Sequence, residues 1–139
     1  PNIDAGSDRV TDCIRRFREF NRDFPLHAYK NLPPEAYIPM LKHAQCCIGN
    51  SSSSVRETSF LGTPVVLVGS RQDGREWSAS VKRVEAVKDA IVDSTRDQIA
   101  HGAYEASDLY GSGNVADKIA AKVVQLKPYT QKRLDYIRR

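Results

Sequence analysis

The seven residues TPVVLVG, at positions 63–69, constrain the fold of this chain more than any other stretch of its sequence. Four consecutive positions within it are apolar, and no polar residue alternates with them. A strand of this kind is buried on both faces, which occurs almost only in parallel sheets covered by helices. The stretch therefore predicts a central strand of an α/β domain.

The segments around this strand alternate between helical and extended patterns. Apolar residues at helical spacing predict helices at 8–22, 33–44, 52–62, 94–107 and 115–126, with a last exposed helix at 131–139. Strands are predicted at 25–32, 45–49, 63–69 and 80–87. Pro39 should bend the second helix or restart it, and Ser94 or Thr95 should cap the fourth. This order predicts a Rossmann-like parallel sheet flanked by helices, in a single domain over residues 1–139.

Composition and charge exclude several classes of partner. The net charge of +4 is compatible with an anionic ligand, but the basic residues are scattered and form no aromatic-basic array for stacking bases, so no nucleic acid is expected. No apolar run approaches the length of a membrane-spanning helix, so no membrane is expected either. The odd cysteine count, without metal spacing, predicts buried reduced thiols in a cytoplasmic protein. Adjacent Cys46 and Cys47 should point to opposite faces of a strand, which disfavours a shared metal.

Four consecutive serines, at 51–54, follow a predicted strand and precede a predicted helix. The first turn of a helix leaves backbone N–H groups without partners, and the helix dipole makes that end positive. A phosphate therefore fits there, and small hydroxyl side chains add donors without bulk. Glu57 lies one helical turn after Ser53, where a carboxylate can accept hydrogen bonds from a sugar diol. The pattern predicts a nucleoside diphosphate site, with serines on the phosphates and Glu57 on the ribose.

A plainer interpretation of the same residues stays open. Serines are good helix N-caps, and Glu57 can pair with Arg56 or face solvent. The phosphate-binding pattern GxxxxGK[ST] is absent from the sequence. The three histidines have no partner pattern and are interpreted as structural, while Asp4 and Asp8 are expected to cap the first helix.

Four blocks of the sequence resemble one known family when they are taken together. The blocks PNIDAG, IGNSSSSVRE, LGTPVVLVGSRQDGRE and YGSGNVADKI run in order from Pro1 to Ile119. They resemble the C-terminal domain of UDP-N-acetylglucosamine 2-epimerases, and more closely the hydrolysing type. The non-hydrolysing type typically carries an aspartate-serine-glycine-glycine turn, where this chain has Asn50, Ser51, Ser52 and Ser53.

The resemblance implies a two-domain glycosyltransferase-B fold, of which residues 1–139 are the UDP-binding C-terminal half. The N-terminal domain would be missing from this chain, and with it the catalytic acids and bases, so no catalytic residue is expected here. The implied reaction takes UDP-GlcNAc to UDP and ManNAc through a glycal, without metal and without a nicotinamide cofactor. A homo-oligomer of the full-length form is compatible with the resemblance.

The resemblance also assigns roles to individual positions. Ser51 and Ser52 match the diphosphate-binding turn, and Glu57 matches the ribose ligand. Ser54 stands where the family usually has glycine, which implies a stiffer turn. The remaining matches are Tyr37 stacked on uracil, Leu32 contacting the base through its backbone, Arg71 near the substrate and Asn2 lining the cleft.

Other functions remain open from the sequence. Tyr37 can be an ordinary core aromatic residue and Arg71 a surface cation. The chain can also be a non-catalytic nucleotide-sugar-binding or regulatory module, with Arg15, Arg16 and Arg18 facing an anionic effector. A non-hydrolysing epimerase that produces UDP-ManNAc and a glycosyltransferase of the same architecture are the two remaining alternatives.

Overall fold

The computed structural model of the chain describes residues 7–128, which form two compact units that divide between His43 and Ala44. Within the described residues there are five helices and three strands. The helices are α1 (Ser7–Phe20), α2 (Pro34–His43), α3 (Ser53–Leu61), α4 (Lys88–His101) and α5 (Val115–Gln125). The strands are β1 (Cys47–Gly49), β2 (Val65–Val68) and β3 (Val81–Val84).

Helices α1 and α2 belong to the first unit and lie where the sequence predicts helices. Helix α1 ends at Phe20, and the next residue, Asn21, donates from both its backbone N–H and its side-chain amide to the Phe17 carbonyl at 2.9 Å. Phe24 then packs edge-on against Phe17, with 5.3 Å between the ring centroids. Helix α2 begins at Pro34, which suits a first helical position, and runs through Pro39 without restarting.

The strand predicted at 25–32 is wrong, because the structure has no regular element there. The alternating apolar pattern is present, but a strand needs a neighbouring strand to accept its backbone hydrogen bonds. The described part of the first unit contains no such neighbour.

The second unit holds a three-stranded parallel sheet in the order β1-β2-β3, with α3 and α4 packed against β2. The architecture is α/β, a Rossmann-like half, which confirms the predicted fold class. Strand β2 lies in the centre, as its continuous apolar run predicts, and its first three residues are almost entirely buried. The core is formed by Val55, Val65, Leu67 and Val81, with Cys47 and Trp77 packed against it.

The sequence QCCIG predicts a buried strand, but β1 is not buried: Ile48 is 54% exposed, and Cys47 and Gly49 are half-buried. Strand β1 lies at the edge of the described sheet, so only its β2 side has a partner. The strand contains Cys47 and not Cys46, so the two thiols do not alternate across one strand as predicted. Both side chains are half-buried, whereas Cys13 is exposed on α1, which contradicts the prediction that all three thiols are buried.

Helix α3 ends as predicted at Gly62, which adopts a left-handed conformation with φ of 69°. Its N–H caps the helix by donating to the carbonyls of Thr58 and Ser59. A Cβ at this position would lie 2.1 Å from the carbonyl oxygen of Tyr104. Glycine is therefore required here both by the backbone conformation and by the close approach of a second segment.

Helix α4 begins at Lys88, so the prediction that Ser94 or Thr95 caps it is wrong. Ser94 is buried inside the helix, and the Thr95 hydroxyl donates to the Ile91 carbonyl one turn back, at 2.7 Å. Serine and threonine hydroxyls can hydrogen-bond to the backbone inside a helix as well as at its start. A Ser-Thr pair therefore does not by itself mark the beginning of a helix.

Helix α5 lies where the sequence predicts it and has no buried residue. The helix predicted at 131–139 lies outside the described residues. Within residues 7–128, no helix has the length and apolar character needed to cross a membrane.

Candidate functional site

The turn between β1 and α3, residues 49–54, is called here the serine turn. Ser51 is exposed, and the three serines that follow it are half-buried. Val55 comes next and is completely buried in the core, which fixes the start of α3 against the sheet. The serine turn therefore lies at the surface on a rigidly anchored helix end.

Hydrogen bonds within the serine turn leave the Ser52 hydroxyl unused by the helix. The Ser51 hydroxyl accepts the Ser53 N–H at 3.3 Å, and the Ser52 carbonyl accepts the N–H groups of Val55 and Arg56 at 3.1 and 3.0 Å. Ser52 is the N-cap residue, yet its side chain makes no capping hydrogen bond. The positive end of α3 and the Ser52 hydroxyl are thus both available to an anion.

Glu57 is exposed on α3, one turn beyond Ser53. It forms no ion pair with any described residue. The neighbouring Arg56 instead places its guanidinium over the ring of Tyr110, 5.9 Å from the centroid. The structure therefore does not support the alternative in which Glu57 is neutralised by Arg56, and its carboxylate is accessible to ligand hydroxyls.

Arg71 lies in the loop that follows β2, residues 69–77, called here the arginine loop. The loop begins at Gly69, whose φ of 78° turns the chain out of the strand. Arg83 on β3 braces it, since its Nε donates to the Gly69 carbonyl at 3.0 Å and lies 3.2 Å from the Asp73 carboxylate. Arg71 itself is exposed on this braced loop.

The serine turn and the arginine loop leave the same end of the sheet. Gly49, the last residue of β1, is in register with Leu67 near the end of β2, and the two strands are parallel. Ligands of open α/β sheets bind beyond these carboxyl ends. Ser51, Ser52 and Arg71 therefore lie at one end of the sheet, and the sequence predicts this position after a strand for the two serines.

One residue that the sequence did not single out joins the two segments. Gln72 is 5% exposed, and its Nε2 donates to the Asn50 carbonyl at 2.8 Å. The residue stands beside Arg71 in the block GSRQDGRE, but nothing local indicates a contact 22 positions away.

The segment YGSGN, at 110–114, packs against the far end of the arginine loop. The Tyr110 hydroxyl donates to the Glu76 carbonyl. Glu76 thus takes part in this contact through its backbone.

Comparison with known proteins identifies the family. The family model described as UDP-N-acetylglucosamine 2-epimerase matches residues 1–124. The chain belongs to this family. The match covers both the serine turn and the arginine loop, and it confirms the resemblance read from the four sequence blocks.

Three relatives illustrate this family membership. The chain is 27% identical to a UDP-N-acetylglucosamine 2-epimerase of Neisseria meningitidis serogroup B over 82% of the chain and 29% of that protein. It is 31% identical to a UDP-N,N'-diacetylbacillosamine 2-epimerase (hydrolyzing) of Legionella pneumophila over 85% of the chain and 30% of that protein. A GDP/UDP-N,N'-diacetylbacillosamine 2-epimerase (hydrolyzing) of Campylobacter jejuni is 43% identical over 53% of the chain and 19% of that protein. The matched region thus spans 30% or less of each of these epimerases.

The other positions assigned by resemblance to the epimerase family lie elsewhere in the chain. Leu32 and Tyr37 are half-buried in the first unit, and the Tyr37 N–H donates to the Pro33 carbonyl at 2.9 Å as α2 begins. Asn2 lies outside the described residues. Their roles toward a nucleotide stay predictions.

The first unit also contains an open cavity of about 710 Å³ beside α1, and much of its lining is apolar, from Ile14, Phe24, Leu26 and Tyr29. Arg15, Arg18, Arg22 and Lys30 line it together with one carboxylate, that of Glu19. Arg15 is held by Asp12 and Glu19 at 3.3 and 3.6 Å. The predicted anionic effector would fall here, and that role stays a prediction.

The cysteines and histidines of the described residues build no metal centre, since no group of three potential ligands is found there. Burial raises the pKa of the Cys47 thiol, and the neighbouring Cys46 raises it further. Burial also raises the pKa of Cys46, against a smaller opposing effect of a backbone hydrogen bond from Val66. Both thiols are therefore protonated near neutral pH and are poor nucleophiles.

Proposed function

We propose that this chain is the nucleotide-binding half of a hydrolysing UDP-N-acetylglucosamine 2-epimerase. The complete enzyme would convert UDP-GlcNAc to UDP and ManNAc, as in the synthesis of amino-sugar or sialic-acid precursors. The observation that carries the proposal is the convergence of the serine turn and the arginine loop at the carboxyl end of one parallel sheet. Family membership supports a nucleotide sugar as the class of substrate.

The diphosphate would bind between these two segments. The amino end of α3 carries a partial positive charge, and the Ser52 hydroxyl adds a donor that the helix does not use. Arg71 contributes a full positive charge from the neighbouring loop. Together these groups can balance the negative charge of the bound diphosphate. The same groups would stabilise UDP as it leaves the sugar.

Glu57 would hold the ribose. Its carboxylate would be repelled by a phosphate, but it can accept two hydrogen bonds from the vicinal hydroxyls of the pentose. Its position one turn into α3 sets it back from the end of the helix. Tyr37, Leu32 and Asn2 would complete the binding of the uracil and the sugar.

The hydrolysing assignment is supported by two independent features. The Legionella and Campylobacter relatives are named as hydrolyzing epimerases. The serine turn also reads Asn50-Ser51-Ser52-Ser53, where the non-hydrolysing type typically has aspartate, serine and two glycines. In the proposed reaction, loss of the C2 proton and of UDP from C1 gives a glycal. Water then adds a hydroxyl to C1 and a proton to the opposite face of C2, which yields ManNAc.

The acid and the base that catalyse this reaction would lie in the N-terminal domain, outside residues 1–139. Residues 1–139 would bind UDP and remain inactive alone. The full-length form would complete the cleft, and any homo-oligomer would form from the full-length protein. Neither a metal nor a nicotinamide cofactor is needed for elimination and hydration.

Titration calorimetry with UDP tests the binding role of Glu57. Glu57→Ala should weaken UDP binding by about 1.5–3 kcal/mol, roughly a 10- to 150-fold rise in Kd, because hydrogen bonds to a charged group are lost. Glu105→Ala, another exposed glutamate, is the matched control and should leave the Kd unchanged. The absence of UDP binding by the unsubstituted chain, or equal binding by Glu57→Ala, would contradict the assignment.

Product analysis on the full-length protein tests the reaction type. Incubation with UDP-GlcNAc should release free ManNAc and UDP in equal amounts. Accumulation of UDP-ManNAc would instead indicate a non-hydrolysing epimerase, and transfer of the sugar to an added acceptor would indicate a glycosyltransferase.

A further inference from the structure

Gln72 is a buried polar side chain whose hydrogen bonding is only half satisfied. Its Nε2 donates to the Asn50 carbonyl at 2.8 Å, and the side chain is 5% exposed. The other atom of the same amide, Oε1, is buried without a hydrogen-bond partner among the described residues. Buried amides usually pair both polar atoms, so the Gln72 side chain is placed for its bond to Asn50 and not for full pairing inside the fold.

The bond to Asn50 has a geometric consequence for the next residue. The Asn50 carbonyl and the Ser51 N–H belong to one planar peptide unit, and no peptide bond in the described structure is cis. In a trans unit the C=O and N–H point in opposite directions. Because Gln72 draws the carbonyl inward to a buried amide, the Ser51 N–H must point outward.

The outward N–H lies where the proposed diphosphate binds. Ser51 is exposed, and within residues 7–128 its N–H donates to no other group. A donor that already points at the ligand needs no reorganisation when the ligand arrives.

We propose that Gln72 is a positioning residue for nucleotide binding: by fixing the Asn50–Ser51 peptide, it presents the Ser51 N–H to a diphosphate. The inference rests on the proposed function, since it takes the serine turn to be the diphosphate site. Gln72 acts through this peptide and does not touch the ligand. It also ties the serine turn to the loop that carries Arg71, so the two halves of the phosphate site keep one spacing.

A second buried glutamine provides the matched control. Gln98 is 2% exposed, and its Nε2 donates to the carbonyls of Val65 and Ser80 at 2.8 Å each. Its Oε1 accepts from the Tyr104 hydroxyl at 2.6 Å, so its amide is fully used inside the fold. Gln98 therefore has the same chemistry and burial as Gln72 but holds the opposite, amino end of the strands.

The test compares UDP and uridine binding to the chain and to two variants, Gln72→Met and Gln98→Met, with folding checked by circular dichroism. Methionine keeps the side-chain length and removes both polar atoms. Gln72→Met should raise the Kd for UDP roughly five- to twentyfold, as the loss of a preset hydrogen bond to a charged group predicts, and leave uridine within about twofold. Gln98→Met should lower the thermal midpoint and leave the ratio of the two Kd values unchanged.

The outcomes separate the inference from the proposed function. If the unsubstituted chain does not bind UDP, the proposed function fails and the role of Gln72 fails with it. If the chain binds UDP and Gln72→Met binds it equally well, or loses UDP and uridine in the same proportion, only the positioning role is overturned. Gln72→Asn, whose amide is one carbon too short to reach Asn50, is the second variant. If neither Gln72 variant folds, the residue serves the fold alone and the inference is wrong.

Discussion

Gly62 shows how a single residue can be fixed by two independent constraints. Its left-handed conformation ends α3, and its carbonyl accepts the Tyr104 N–H at 2.8 Å. The segment after α4 is therefore joined to the end of α3 at a position where no side chain fits.

Gly62→Ala should destabilise the chain by more than about 3 kcal/mol, because a left-handed alanine costs about 1–3 kcal/mol and its Cβ meets a backbone oxygen as well. Urea denaturation measures the change in the free energy of unfolding. Gly74→Ala is the control, since Gly74 has a φ of 81° but nothing within 4 Å of a Cβ. If both variants lose the same stability, the contact with Tyr104 contributes nothing.

The site residues show which individual roles can be predicted from the sequence and which cannot. Ser51 and Ser52 are predictable from the sequence because they stand between a strand pattern and a helix pattern, whereas Arg71 is assigned only by resemblance to the family. Gln72 was missed, since its role depends on a carbonyl that lies 22 positions earlier in the chain. A side chain's partner across a sheet is decided by strand order and register, which no local pattern contains.

At the scale of the element, the regular structure was predicted best where the apolar pattern of the segment is clear. Strand β2, helix α3 with its Gly62 cap and helix α5 lie where the sequence places them. The failures have physical causes. Residues 25–32 carry a strand pattern without a strand to pair with, and the start of α4 was placed six residues late because Ser94 resembles a cap. The helix begins instead at Lys88, directly after the predicted strand at 80–87.

The half-buried thiols of Cys46 and Cys47 predict that the free energy of unfolding falls at alkaline pH. The pKa values of Cys46 and Cys47 are raised above the ordinary 9.0 by burial. The unfolded chain therefore releases these protons at lower pH than the folded chain. Stability is fully present below the unfolded thiol pKa and is lost as pH rises from that value through the raised folded values.

The free energy of unfolding, measured by urea denaturation between about pH 8 and pH 10, should fall with rising pH, as linkage requires. Cys47→Ala should make this decline shallower. Cys13→Ala is the control and should leave the slope as it is, because the Cys13 thiol is exposed. An identical slope in all three proteins would show that the half-buried thiols do not contribute.

For the whole molecule, burial is concentrated in the second unit. Strand β2 and helices α3 and α4 supply most of the buried residues, whereas α5 has none and the apolar residues of α1 are substantially exposed. Local stability follows buried contacts, so opening is not expected to be uniform along the chain.

Hydrogen exchange followed by mass spectrometry should show this gradient. Amides of α5 should exchange at least about a hundredfold faster than those of β2, because opening α5 exposes little apolar surface that was buried. Helix α3 is the internal control, being shorter than α5 but anchored by Val55. Equal protection of α5 and β2 would mean that the chain unfolds only as one unit.

The two buried glutamines lie at opposite poles of the sheet. Gln98 clamps β2 and β3 together where these strands begin, far along the strands from the turns that would recognise a ligand. The contacts that hold the strands together and the proposed ligand site consequently lie at different ends of the sheet. Substitutions around Ser51 and Arg71 would then leave the Gln98 clamp, and with it the scaffold, intact.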